Sequence, residues 1–162
     1  MGFRWFERLT NTPGKVPVQV RSDLPAGSIQ RQIQAIRSSG LPFQTQASAL
    51  LKLGEKATNV SERLLIQEHA DFIADIMSSR NAEGEALERA SQQARAIELY
   101  EANVKDCYAG SYPYERLRVL YASSARYADA LRICRAYVEH GQDDEAQKTQ
   151  FRDWVTKYAR IV

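Results

Sequence analysis

Residues 96–138, AIELYEANVKDCYAGSYPYERLRVLYASSARYADALRICRAYV, decide how the chain is read. Two amphipathic segments lie in register within them. Ala96, Ile97, Tyr100 and Val104 return 34 positions later as Ala130, Leu131, Cys134 and Val138. A helix opened by Pro113 lies between, because proline suits a first turn whose N–H has no partner anyway. On it Tyr114, Leu117, Leu120 and Tyr121 share one face. A period of this length joining pairs of helices marks a helical repeat.

Outward from this stretch the pattern stays helical. After a short turn at residues 124–126, Tyr127, Ala130, Leu131, Cys134, Tyr137 and Val138 define the next helix. Gly141 stops it, with His140 in its last turn. The acidic run at 142–145 opens a final helix carrying Phe151, Trp154, Val155, Tyr158 and Ile161. On the other side, Asn81 reads as an N-cap, with Glu83 and Glu85 at the positive end of the helix dipole. Neither Gly nor Pro lies near Ser91-Gln92, which favours one helix to about Cys107 over two with a turn there. Earlier still, Asn59 with Glu62 forms a capping box. It opens a helix with Leu65, His69, Phe72 and Ile76 as its buried stripe, widened by Ile66, Ile73 and Met77. Helices over about 43–56 (Phe43, Ala47, Leu50, Leu51) and from Ser28 (Ile29, Ile33, Ile36) complete the body.

Residues 1–27 differ. They hold Pro13, Pro17 and Pro25, and Val16, Val18 and Val20 alternate with Pro17, Gln19 and Arg21. Proline cannot donate to a central ladder, so an extended basic arm or edge strand is expected here. Its Phe3, Trp5 and Phe6 could pack back on the body, meet a membrane surface or dock on a partner. Net charge is +2 overall. It splits unevenly, with eight Lys/Arg against three Asp/Glu in residues 1–60 and fourteen against seventeen after them. Such a basic third favours an anionic surface, and ordinary solvation accounts for the same charges. The 44% apolar and 26% charged composition is that of a globular protein. No window nears the ~20 apolar residues of a membrane span, and Met1–Leu9 is too charged for a secretory signal. Cys107 and Cys134 stand outside any metal or redox spacing. They fit a reducing compartment, so a cytoplasmic location is expected.

Tyr114, Leu117 and Tyr121, then Tyr127, Ala130, Cys134 and Tyr137, give the chain a pattern that resembles the tetratricopeptide repeat. In that family a first helix carries aromatic, Leu and aromatic residues at one-turn intervals, and a second helix has a small residue where the two cross. Ala96 with Tyr100 resembles the second helix of an earlier unit, with Gly84 and Leu87 matching its first. Phe151 and Val155 fall where a following first helix would lie, as a cap. The similarity covers about residues 80–162. Arg118 departs from it by replacing a small residue, and no proline closes the repeat after Val138. The resemblance implies a right-handed array of antiparallel helix hairpins, about six or seven helices in all, over a single domain at 28–162. It also implies a partner surface on the first helix, made of Tyr112, Glu115, Arg116, Val119 and Ser123, with Ala122 between them. The lysines and asparagines by which some members hold a terminal carboxylate are not present, since Glu115 and Val119 stand there.

Chemistry is sparse. Glu68, Asp71 and Asp75 could share a helix face and hold a metal, but His69 falls on the apolar stripe and reads as packed. His140 reads as a dipole partner, Cys134 as core and Cys107 as a thiol without a base. No phosphate loop or nucleophile elbow occurs, so no catalysis, cofactor or metal is expected. Arg116, Arg118, Arg126, Arg132 and Arg135 interleave with tyrosines, as in nucleic-acid binders. However, the repeat core accounts for the tyrosines, and Glu115, Asp129 and Glu139 can pair with the arginines. The expected function is a non-catalytic interaction or scaffold module for a protein or peptide, self-association included. The alternative is a nucleic-acid or anionic-surface accessory protein acting through the arm and the arginines.

Overall fold

The computed structural model describes residues 28–162, and the arm expected over 1–27 lies outside the described residues. Ser28 caps the first helix, α1 (Ile29–Arg37), by accepting the Arg31 N–H. Ile33 is its buried centre, and Gly40, at φ 69°, makes the turn out. Pro42 offers no cap to α2 (Phe43–Glu55). That helix is capped from a distance instead. Its Phe43 N–H donates to Asp106 Oδ1 at 3.3 Å and its Gln44 N–H to the Asp106 carbonyl at 3.1 Å. In α3 (Val60–Arg89) the Asn59 side chain accepts the Glu62 N–H at 2.9 Å. Glu62 folds back onto the Thr58 N–H and hydroxyl, one residue before the box partner the sequence implies. There follow α4 (Gln93–Lys105), α5 (Tyr112–Ser123), α6 (Tyr127–His140) and α7 (Glu145–Ala159). Among the described residues there are seven helices and no strand. Each helix from α2 onward packs on the next, and α1 lies on α2 and α3.

The break near residue 91 corrects the expectation of one helix to Cys107. α3 runs unbroken through Asn81, the expected cap, and stops at Arg89. It ends in a Schellman turn. Gln92 N–H reaches Leu87 O at 2.8 Å and Ser91 N–H reaches Glu88 O at 2.9 Å. The turn recurs after α5, where Arg126 N–H bonds Tyr121 O and Ala125 N–H bonds Ala122 O. A third closes α4, from Tyr108 to Asn103 and from Cys107 to Val104. The left-handed residue in each is Ser91, Ala125 or Cys107, at φ 58°, 56° and 55°. Glycine is usual there, so the sequence carries no punctuation where these helices end.

Burial refines the stripes. On α3 the centre is Ile66, Ala70, Ile73 and Met77, while Leu65, His69, Phe72 and Ile76 form the half-buried flank, the reverse of the expected order. On α2 Leu50 is fully buried as expected, Gln46 is buried beside it and donates to the Leu41 carbonyl, and Leu51 is 51% exposed. Ile161 falls beyond α7 and is equally exposed. The apolar residues form two clusters. One joins α1, α2 and the first half of α3; the other joins the end of α3 to α7, and Tyr108 touches both. Between them lies a polar layer. Asn103, fully buried, donates to Met77 O and Asn81 Oδ1, both at 2.8 Å. It accepts from Arg80, which also pairs with Asp106 at 2.5 Å. A buried amide with every group matched is stable there; one left unmatched would cost about 1–3 kcal/mol.

Candidate interaction surface

Because α5 turns Tyr114, Leu117, Leu120 and Tyr121 into the core, Tyr112, Glu115, Arg116, Val119 and Ser123 are left around the rest of the helix. They are not equivalent. Tyr112 and Val119 are each 39% exposed, the two large apolar side chains that α5 shows to solvent. Arg116 between them is held. Its Nε donates to Glu88 Oε1 at 2.9 Å and its Nη2 to Oε2 at 2.5 Å. Glu88 also accepts the Tyr100 hydroxyl at 2.8 Å, and Tyr112 meets the Tyr100 ring edge-on at 6.1 Å. The Arg116 hydrogen bond holds the Glu88 carboxyl below its usual range despite its burial. Burial, then Glu88, push the Tyr100 phenol upward. Glu115 accepts the Gln147 amide on α7, and Ser123 donates to Leu120 O at 2.9 Å.

The same clasp recurs one helix on. Glu101 accepts the Tyr121 hydroxyl at 2.5 Å and both terminal nitrogens of Arg132 at 3.2 and 2.5 Å. Tyr121 is pushed up to about 12, chiefly by burial and next by Glu101. Each clasp spans three successive helices: Glu88, Tyr100 and Arg116 on α3, α4 and α5, then Glu101, Tyr121 and Arg132 on α4, α5 and α6. Arg126 is paired too, with Asp129 at 2.7 Å. Glu88 and Glu101 were not singled out from sequence. The signal for them was the core tyrosines, whose hydroxyls need partners when buried. Tyr137 follows the same rule, donating to Asp143 at 2.8 Å.

The remaining candidates separate from α5. His69 Nδ1 lies 3.2 Å from Arg37 Nη1. A guanidinium only donates, so this nitrogen accepts and the ring is neutral. Burial first, then Arg37, lower its pKa against the pull of Glu68. Cys134 is buried, and burial pushes its thiol up to about 12; Cys107 is shifted upward by the same cause. Neither is an activated nucleophile. Among the described residues no cluster of three His, Cys, Asp or Glu could hold a metal, and no helix is long and apolar enough to cross a membrane. Two shallow clefts, of about 610 Å³ beside Leu51, Ile66 and Gln67 and about 460 Å³ beside Leu131, Arg135 and Val162, both lie away from Tyr112 and Val119.

Compared with protein-family models, with curated proteins and with solved structures, the chain matches none.

Proposed function

We propose that the protein is a non-catalytic interaction module of the tetratricopeptide-like kind, which receives a protein or peptide on α5. The observation that carries this is the state of that surface. Tyr112 and Val119 stand exposed on either side of an Arg116 locked onto Glu88, so the groups a partner would meet are ordered before it arrives. Preorganisation of this kind lowers the entropy cost of association. Two further features support the repeat reading. The Schellman turns at Ser91 and Ala125 stand 34 residues apart, as do the starts of α4 and α6. Arg116, Arg126 and Arg132 are all matched to carboxylates, which favours a protein partner over nucleic acid.

The test replaces Val119 with a photo-crosslinking aromatic amino acid in the full chain, in cells, with and without nuclease. A crosslinked polypeptide that survives nuclease and is lost on Tyr112→Ala is expected; a second copy of this chain counts as one such polypeptide. Crosslinks only to nucleic acid, or none above a control at exposed Lys105, would refute the reading.

A further inference from the structure

Arg118 is where the chain departs from the small residue its repeat pattern asks for, and the structure shows how it is accommodated. One unit earlier Gly84 occupies the equivalent place, with the Tyr100 ring laid over it so closely that a Cβ would come within 2.5 Å of Cε1. One unit later the sizes are exchanged. Arg118 follows Gly84 by 34 residues, and Cys134 follows Tyr100 by the same interval. The Arg118 charge acts on the Cys134 thiol, against the larger upward push of burial.

The guanidinium then emerges over α7. It stacks on Trp154 with 4.2 Å to the ring centroid, and Lys157 covers the same ring at 4.6 Å. Trp154 is half-buried and stacks on Tyr158, which stacks on Tyr127. Among the described residues neither cation has a carboxylate within ion-pair distance. Asp153, one turn before Lys157, would be its natural partner on the helix, yet the ammonium lies on the indole. Arg118 meets only the Tyr158 hydroxyl at 3.5 Å, its Nε is buried without a partner, and the indole N–H of Trp154 donates to no described group. This contrasts with Arg116, Arg126 and Arg132. Around one aromatic ring the chain has gathered two cations and an indole N–H, for which the one described acceptor is the Tyr158 hydroxyl, at 3.5 Å from Arg118, and cation–π contacts hold the charges in place.

We propose that Arg118, Trp154 and Lys157 form an anion-receiving site for a carboxylate side chain of an acidic peptide segment, resting on the reading of α5 as a protein-binding surface. A carboxylate entering there gains charge-assisted hydrogen bonds, the stronger kind, from groups that give up few protein partners to make them.

The test uses the full chain with Trp5→Phe, which leaves Trp154 as the sole tryptophan. The probes are a capped octapeptide alternating Glu and Ala, its Lys counterpart, and a mixed-sequence single-stranded DNA octamer. The Glu peptide should change Trp154 fluorescence saturably and the Lys peptide should not. Lys157→Gln, at an exposed position that leaves folding intact by circular dichroism, should weaken binding about fivefold or more, and adding Arg118→Gln should abolish it. No Trp154 response, or unchanged affinity in Lys157→Gln, overturns the site. DNA binding at least as tight as the Glu peptide, lost in the same variants, overturns the carboxylate assignment in favour of phosphate. If the Val119 crosslink persists while the Glu peptide fails, the site falls and the α5 reading stands; if both fail, both fall.

Discussion

Gly84→Ala is expected to destabilise the protein, against the usual rule. Alanine in a helix interior normally gains about 0.5–1 kcal/mol over glycine. At Gly84 the added Cβ would stand 2.5 Å from Tyr100 Cε1, 2.7 Å from Cζ and 3.1 Å from Cδ1. Tyr100 is fully buried and tied at its tip to Glu88, so the ring cannot step aside without giving up that bond. Overpacking of this kind costs about 1–3 kcal/mol. Set against the helix gain, a net loss of up to about 2.5 kcal/mol remains, which in a chain of this size lowers Tm by up to roughly 10 °C.

Gly54→Ala is the internal control. It too lies in a helix, but its Cβ would meet only Ile66 Cγ2, at 3.6 Å, so the ordinary gain should survive and Tm should rise by roughly 1–4 °C. Thermal unfolding by circular dichroism reads both. A Gly84→Ala protein that melts at or above the parent refutes the close crossing of α3 and α4. So does a deficit that persists unchanged in a Tyr100→Leu background, where the ring is gone.

Asn103→Leu should cost about 2–4 kcal/mol in urea midpoints, because it strands Asn81 and the Met77 carbonyl in the interior. Retained stability would show that this layer is not dry. Asp106→Ala should loosen α2 first, seen as faster amide exchange at Phe43 and Gln44 than in α6, since it removes the carboxylate that Phe43 and Arg80 share; equal exchange changes would contradict that cap. Ala125→Gly should gain up to about 1 kcal/mol by relieving a left-handed alanine, and a loss would argue against that turn. Acid should weaken the fold through His69. Its folded pKa is below the usual 6.5, so as pH falls under that value the unfolded chain takes the proton first and stability drops toward the folded value. The Tm loss between about pH 7.5 and 5.5 should be smaller in His69→Gln, and an equal loss would remove His69 as the cause.

Helix identity was legible where side chains repeat at helical spacing and where caps have a chemical signature. Ser28, Asn59, Pro113 and Gly141 each mark an end that the structure keeps. What was not legible were ends made by backbone conformation alone. Ser91 terminates α3 in a φ that its side chain does not announce, while Asn81, a good cap by composition, lies buried mid-helix because Asn103 needs it. The 34-residue period did hold the information: subtracting it from the turn at 124–126 lands on 90–92. The α5 surface was readable as a set of residues but not as a set of roles. That Arg116 and Glu115 would be engaged, and Tyr112 and Val119 exposed, depended on Glu88 and Gln147, which lie 28 and 32 residues away in sequence.

Gly84 and Tyr100, then Arg118 and Cys134, solve one packing problem with opposite division of volume. In both places a fully buried alanine, Ala96 or Ala130, lies on the second helix of the pair. Where two helices approach as closely as Gly84 and Tyr100 do, what one helix fills the other must vacate. Where the first helix gives up its side chain, the second sends in a tyrosine and the unit closes on a carboxylate, Glu88. Where the second shrinks to cysteine, the first sends an arginine outward. Among the described residues it finds no carboxylate, but the face of Trp154 and the Tyr158 hydroxyl. The departure from the repeat pattern at Arg118 therefore leaves the fold intact and changes what the fold displays. A reversed exchange, Arg118→Gly with Cys134→Tyr, should retain the helical content of the parent while losing the response of Trp154 to the acidic peptide. A protein that keeps that response without Arg118 would show that Lys157 and the indole suffice, and that the arginine is there for packing alone.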